Sequence, residues 1–423
     1  MHFDTLQAWL QWQENLHPKS IDLGLTRVQQ VFARLQPNYQ KPITITVAGT
    51  NGKGSSVAML EAIYRAQGLR VGAYTSPHII RYNERIKING LAVDDLTICQ
   101  AFERIEAARQ DISLSYFEFS TLAALDIFSQ QKLDIQLLEV GLGGRLDAVN
   151  LIDADAAIIT SICIDHTDWL GDTREAIGIE KAGVLRANIP AIIGDIEPPQ
   201  SLLDCVKQKN AQLLRLNHEF CYQKQTSHWQ WQLGEKILNN LPLLNLKGEH
   251  QYRNASSVLT AVHCLQDKLA VSEQAIHYGL SHAELSGRFQ LIQHAVPVLL
   301  DVSHNPQAAQ SLVDYLSSDF NDRPIHALFT MMSDKDMQGV INIMQPIIHQ
   351  WYITPLDNPR TTKENDTLDI FNKAQIPVKS GFEDFLSAFY HAEQQAIQDN
   401  GLILIFGSFF LVSEYLSHFS SQP

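Results

Sequence analysis

Two α/β domains in tandem are predicted by three features of the sequence. Short Val- and Ile-rich runs alternate with longer amphipathic stretches. The alternation occurs in two separate series, and the 423 residues are enough for two or three domains of about 150 residues each. Strand–helix–strand alternation of this kind points to mostly parallel sheets with helices on their faces. In the first series, Ile43–Ala48 (ITITVA), 135–140 (IQLLEV), 156–162 and 191–194 read as strands, and 55–67 and 119–131 carry helical spacing. The segment 218–246 is different: it is rich in Gln, Asn and Trp and holds a turn-like Leu233-Gly234-Glu235. It reads as a small antiparallel appendage of the first domain, closed by a helix over 251–269. The second series places strands at 296–302, 325–331, 351–354 and Leu402–Phe406, with helices at 307–316 and 385–398. The boundary is expected within 281–288, giving domains 1–285 and 286–423, the second of them Rossmann-like.

Composition narrows the function classes. Lys and Arg total 32 against 46 Asp and Glu, a formal net charge of −14. An acidic chain is a poor general binder of nucleic acid or anionic membrane, so anionic ligands would need local clusters of Lys and Arg. Hydrophobic residues make up 45% of the chain and charged ones 18%, which excludes a disordered polyelectrolyte. The five cysteines are odd in number and none pairs as C-x-x-C, which argues against a disulfide framework or a zinc knuckle. No basic segment followed by an apolar one marks a signal peptide. The longest apolar run, 402–412, contains Gly407 and Ser408 and is too short to span a bilayer. A soluble cytoplasmic protein is expected.

The strongest local signal follows the strand Ile43–Ala48: Gly49-Thr50-Asn51-Gly52-Lys53-Gly54-Ser55 leads into a helix. Glycines let backbone N–H groups approach phosphate oxygens, and the helix start adds unpaired N–H groups and a positive dipole end. Lys53 can reach β- and γ-phosphates, and Ser55 or Ser56 can approach Mg²⁺. The spacing departs from G-x-x-x-x-G-K-[ST], so an ordinary strand-to-helix turn is the alternative. Ligands of open parallel sheets sit beyond the carboxyl ends of strands. Ser76 (in Thr75-Ser76-Pro77-His78), Glu139 and His166 lie at such ends and could together hold a cation beside the phosphates. Singly, each would read as a turn or capping group. Lys181, in Glu180-Lys181-Ala182-Gly183, would by default be a solvated lysine; function would require burial and a lowered pKa. In the second domain Arg288 stands at the entrance, and Asp301 and His304 close a strand. Both of the latter could instead cap the next helix.

These motifs together resemble the folate branch of the Mur ligase superfamily. The resemblance covers nearly the whole chain: IDLGL at 21–25, AGTNGKGS at 48–55, TSPH at 75–78, RYNERI at 81–86, YFEFSTLAAL at 116–125, EVGLGGRLDAVN at 139–150, DHTDWLG at 165–171, EKAGV at 180–184, GRFQ at 287–290, DVSHNP at 301–306 and GSF at 407–409. It implies a P-loop ATPase domain followed by a glutamate-ligase domain. It further implies an ATP- and Mg²⁺-dependent ligase that adds L-glutamate to 7,8-dihydropteroate and then to tetrahydrofolates. On this resemblance Thr50, Asn51, Gly52, Lys53, Gly54 and Ser55 would bind ATP, with Asn254, Arg288 and Asp301 reached from the second domain and its junction. Ser76, Glu139 and His166 would hold Mg²⁺, and Lys181 would carry a carbamate. The pteroate would meet Ile21, Asp22, Leu23, Ser115, Tyr116, Phe117, Glu118, Leu146, Asp147 and Ala148, and the incoming glutamate His304 and Ser408. The family often has Ala in place of Ser303 and His in place of Phe410. Its members are implied to be monomers working on small molecules. The alternatives are a polyglutamylating enzyme alone, a Mur-type ligase of UDP-linked substrates (disfavoured by only 42 residues before Ile43) and a nucleotide-binding regulatory module.

Overall fold

The computed structural model describes residues 3–19 and 21–419. Two units separate: one takes the residues up to Asn245 with Gln251–Glu284, the other Leu246–His250 with the residues from Leu285 onward.

The first unit is built on β1 (Ile43–Ala48), β2 (Val71–Tyr74), β3 (Ile86–Ile88), β4 (Leu91–Ala92), β5 (Ile135–Glu139), β6 (Ala156–Ile159), β7 (Pro190–Ile193) and β8 (Gln212–Arg215). They form one sheet in the order β4-β3-β2-β5-β1-β6-β7-β8. Pairing is parallel from β2 through β8 in that order, and only the pairs β2–β3 and β3–β4 are antiparallel, an edge the sequence reading did not anticipate. β5 and β6 are buried along their whole length and β1 from its second residue, which is why these runs are apolar without alternation. Register sets Val47 beside Glu139 of β5 and Ala48 beside Ile159 of β6, so three strand ends converge.

Helices α1 (Leu6–Glu14), α2 (Thr26–Leu35), α3 (Lys53–Ala66), α4 (Asp95–Arg109), α5 (Tyr116–Ser129), α6 (Thr167–Leu170), α7 (Arg174–Lys181), α8 (Gln200–Gln208), α9 (His250–Cys264) and α10 (Glu273–His282) accompany this sheet. α5 is buried from Glu118 through Phe128; its Phe119 meets Phe102 of α4 edge-on, and Trp9 of α1 packs tilted against Phe102. It starts at a capping box: the Ser115 hydroxyl accepts from Glu118 N at 3.3 Å while Ser115 N donates to Glu118 Oε2 at 2.8 Å. The expected appendage is a three-stranded antiparallel sheet of β9 (Phe220–Lys224), β10 (Trp229–Leu233) and β11 (Lys236–Leu241). Its Trp231 Nε1 donates to the Ser256 carbonyl of α9 at 3.1 Å, which fastens the appendage.

The second unit holds β12 (Gln290–Gln293), β13 (Pro297–Asp301), β14 (Ile325–Phe329), β15 (Gln350–Ile353), β16 (Val378–Lys379) and β17 (Leu402–Phe406), in the order β12-β13-β17-β14-β15-β16. All pairs but β12–β13 are parallel. Helices α11 (Pro306–Asp319), α12 (Met337–Met344), α13 (Glu364–Lys373), α14 (Phe385–Asp399) and α15 (Phe409–Phe419) alternate with the strands, and Phe329, Trp351, Phe371 and Phe406 form its aromatic core. Both units therefore have the α/β class expected. The expected strand over 156–162 stops at Ile159, because residues beyond it turn to hold the loop after β1. The helix expected over 251–269 ends at Cys264.

Candidate active site

The loop after β1 is shaped by what its glycines face. A Cβ on Gly49 would sit 1.8 Å from Thr160 Oγ1, and one on Gly52, where φ is +89°, would come within 2.6 Å of Asn254 Oδ1. Only glycine fits either position. The loop is stitched to the segment after β6. Thr50 N donates to Ser161 O at 2.6 Å, Asn51 N to Ser161 Oγ at 3.2 Å, the Thr160 hydroxyl to Asn51 O at 2.7 Å and Cys163 N to Thr50 Oγ1 at 3.0 Å. Gly54 is the second residue of α3. Ser55 is buried and its hydroxyl accepts from Gln251 Nε2 at 3.3 Å, while Asn254 Nδ2 donates to Gln251 Oε1 at 3.1 Å. Asn254 therefore belongs to the loop's own unit rather than to the second. Gln251 escaped the sequence reading; its only signal is the i, i+3 spacing to Asn254 on one helix face.

Two ammonium groups converge on this loop. Lys53 Nζ donates to the carbonyls of Gly49 at 3.1 Å and Thr50 at 3.0 Å, and Lys181 Nζ donates to Gly49 O at 2.8 Å. Lys181, the last residue of α7, is 4% exposed, so it is not the solvated surface lysine of the default reading. Burial, then the charge of Lys53, lowers its pKa to about 7. A loop that gathers cations and helix N–H groups is suited to a polyphosphate.

Of the residues expected at a cation, Ser76 and Glu139 are in contact. Ser76 N donates to Glu139 Oε2 at 3.2 Å across the neighbouring ends of β2 and β5, and Glu139 is buried. His166 stands beyond β6 as the N-cap of α6, in left-handed backbone at φ +54°, with its N–H on Asp165 Oδ1 at 2.8 Å. Arg174 steadies this stretch: its guanidinium donates to Ile162 O at 2.9 Å and to Asp195 Oδ1 at 3.0 Å, while Ile162 N donates to Asp195 Oδ2 at 2.7 Å. Among the described residues no three His, Cys, Asp or Glu side chains form a metal-holding group. The expected set has only two such groups, a carboxylate and an imidazole, plus a hydroxyl. The oxygen donors of Ser76 and Glu139 fit a hard divalent cation that keeps waters in its shell.

The segments expected to meet the pteroate are in contact with one another. Asp22 bonds Arg27, which also reaches Glu118 of α5; Ile21 and Leu23, on either side of Asp22, are half-buried. Leu146 O accepts from Gly24 N at 3.2 Å. The Tyr116 ring packs against Tyr82, and burial pushes its hydroxyl pKa up to about 12. Phe117 lies so close to Gly141 that a Cβ there would be 2.5 Å from its ring. Asp147 is buried next to the likewise buried Ala148, and its carboxylate accepts from Leu142 N at 2.8 Å and Val149 N at 2.9 Å. Burial outweighs these bonds and raises its pKa to about 6.

In the second unit, Asp301 closes β13. It is buried and accepts from Phe289 N at 3.1 Å, from Ser303 N at 2.8 Å and from the Ser303 hydroxyl. Burial raises its pKa against the opposing pull of Arg288 and these donors. Arg288 lies 5.1 Å over the Phe409 ring, and the His304 ring stands 6.0 Å from the same phenyl. Phe409 thus gathers two of the expected residues and was missed as a residue, although its GSF motif was noted. Neither Asp301 nor His304 caps the next helix: Asn305 does, accepting from Ala308 N at 3.0 Å. Ser408 is buried and accepts from Leu411 N at 3.1 Å at the start of α15.

Comparison with known proteins agrees with this fold. Residues 287–409 match the family described as Mur ligase, glutamate ligase domain. The dihydrofolate synthase/folylpolyglutamate synthase of Escherichia coli is 41% identical over 411 residues, covering 97% of this chain and 94% of the relative. That of Haemophilus influenzae is 40% identical, covering 97% and 96%. An E. coli structure in complex with DHPP and ADP superposes with a TM-score of 0.90 at 40% identity, covering 98% of this chain and 97% of that one. A bifunctional folylpolyglutamate synthase/dihydrofolate synthase with Mn, AMPPNP and L-glutamate bound has a TM-score of 0.89 at 42% identity, covering 98% of each. The fold and the phosphate loop are those of an ATP-dependent ligase of the Mur type. Within that class, the chain belongs to the dihydrofolate synthase/folylpolyglutamate synthase family.

Proposed function

We propose that this protein joins L-glutamate to 7,8-dihydropteroate, forming dihydrofolate, and adds further glutamates to tetrahydrofolates, at the expense of ATP. The observation that carries this reading is the convergence of Lys53 and Lys181 on Gly49, with the buried Glu139 bonded to Ser76 at neighbouring strand ends. A carboxylate does not acylate an amine unaided. Transfer of the γ-phosphoryl group of ATP to the pteroate carboxylate gives an acyl phosphate and ADP. The glutamate amine then attacks the carbonyl carbon, and phosphate leaves with one former carboxylate oxygen. Lys53 and the N–H groups at the start of α3 offset charge on the phosphoryl group in flight. Bound Mg²⁺, held by Ser76, Glu139 and His166, would add further positive charge there. Lys181, its pKa lowered to about 7, has a substantial neutral fraction near pH 7 and in that form is able to add CO₂ and form a carbamate. No protein nucleophile is required.

In this reading Asn254, Arg288 and Asp301 serve ATP, the segments 21–23, 115–118 and 146–148 serve the pteroate, and His304 and Ser408 serve the incoming glutamate. The domains divide at 285/286 into an ATP-binding and a glutamate-ligase part. We read the protein as a monomeric cytoplasmic enzyme working on small molecules; its acidic charge disfavours a nucleic-acid or anionic-membrane partner. Phosphate release from MgATP, measured with L-glutamate plus either 7,8-dihydropteroate or tetrahydrofolate, tests the proposal. Release with both is expected. Release with tetrahydrofolate alone would reduce the protein to a polyglutamylating enzyme, and release with neither would refute the reading.

A further inference from the structure

Arg27, in the first turn of α2, ties together two chain segments that are far apart in sequence. Its Nη1 donates to Asp22 Oδ2 at 2.6 Å and its Nη2 to the Asp22 carbonyl at 2.8 Å. The same Nη2 donates to Glu118 Oε1 at 3.1 Å, and Nε lies 3.4 Å from Glu118 Oε2. Glu118 is 4% exposed in its side chain and already accepts from Ser115 N, so Arg27 is the cation that balances a buried carboxylate. On the other side of Asp22, His17 Nε2 stands 3.1 Å from Oδ2, and His17 Nδ1 is 2.9 Å from Ser113 Oγ. Two residues past Asp22, Gly24 N bonds Leu146 O. The loop 21–24 is thus pinned at one end to the start of α5 and at the other to the segment that carries Asp147.

We infer that Arg27 is a positioning residue for the pteroate substrate: it fastens the Asp22 loop to Glu118, so that three separate stretches of chain form one wall. The inference rests on the assignment of those stretches under Proposed function. A planar guanidinium reaches both carboxylates and a carbonyl at once, whereas an ammonium in its place holds one of them. Removing the cation leaves Glu118 buried with an unbalanced charge and frees the loop to move away. Arg27 has no bond to the phosphate loop, so the effect belongs to the pteroate and not to ATP.

The test compares the full chain with its Arg27→Lys and Arg27→Gln variants in steady-state phosphate release. The KM for 7,8-dihydropteroate is expected to rise roughly tenfold or more in Arg27→Gln and less in Arg27→Lys. The KM for ATP and the kcat at saturating pteroate are expected to stay within about twofold. His17→Ala, which loosens the loop's other support, should give a smaller rise in the same constant. A KM for dihydropteroate that is unchanged in both Arg27 variants overturns the inference. So does a parallel rise in the KM for ATP accompanied by a lower melting temperature, which would make Arg27 a general structural residue. A wild-type enzyme that ignores dihydropteroate defeats the function reading, and this inference with it. A wild-type enzyme that uses it, beside indifferent Arg27 variants, defeats this inference alone.

Discussion

Lys181 and Lys53 illustrate how much one buried charge decides. Lys181 has a pKa of about 7 in the native state against 10.5 for the ordinary side chain. Below about pH 7 the native state buries an ammonium that the unfolded chain solvates, so the penalty on stability is fully present. It fades as pH rises from about 7 toward 10.5, where the native state has released its proton and the unfolded state has not. In carbonate-free buffer, Lys181→Met should therefore melt above wild type at pH 6, by an amount on the order of a few kcal/mol, with the gap narrowing by pH 9. A gap independent of pH would show that the lysine is not buried as a charge. The same position should be inactive as Lys181→Ala, with partial recovery in a small exogenous carboxylic acid if a carbamate normally acts there. Lys53→Ala should abolish phosphate release while leaving the circular dichroism spectrum unchanged; wild-type turnover in that variant would remove the loop from the chemistry. Lys53 was legible in the loop, and the resemblance singled out Lys181, but the burial of Lys181 was not visible in EKAGV, which reads equally well as a surface helix, because burial of a lysine depends on chain brought from elsewhere.

At the scale of elements, the site is a set of strand ends held by polar stitching. The strand β6 is three residues shorter than its apolar run suggests, since Thr160, Ser161 and Cys163 leave the sheet to bond Thr50 and Asn51. Arg174 and Asp195 grip Ile162 from both sides. Arg174→Ala should release the segment that leads to His166, raising the Mg²⁺ concentration for half-maximal activity several-fold while the KM for dihydropteroate changes little. Equal changes in both would assign the pair to general stability. Gly49→Ala drives a methyl group onto the Thr160 hydroxyl and should cost at least about 2 kcal/mol in urea unfolding; a neutral result would mean the two loops can part. The phosphate loop, the strand-end carboxylate and the second-domain Asp301 were legible because local sequence makes them. Arg27, Gln251 and Phe409 were not assigned, because each acts through a tertiary contact that periodicity does not encode.

For the whole molecule, two series of strand–helix alternation were enough to give two α/β units, and the Gln-, Asn- and Trp-rich segment the antiparallel appendage of the first. The β3–β4 edge was not foreseen, since three- and two-residue strands carry too little pattern to register. Ligand linkage offers a global readout of the loop. A non-hydrolysable ATP analogue with Mg²⁺ at about 100 times its Kd should stabilise the protein by about 2.7 kcal/mol, a rise of several degrees in melting temperature. Lys53→Ala should abolish most of that rise; an undiminished rise would place the nucleotide elsewhere. The most direct test of the central claim, that ATP activates the pteroate carboxylate for attack by glutamate, follows an oxygen atom. With 7,8-dihydropteroate carrying ¹⁸O in its carboxylate, the inorganic phosphate released during ligation is collected and weighed by mass spectrometry. One ¹⁸O per phosphate, dependent on L-glutamate, is the predicted result. Unlabelled phosphate accompanying dihydrofolate formation would contradict the account, because ATP would then be cleaved without ever having been joined to the acid.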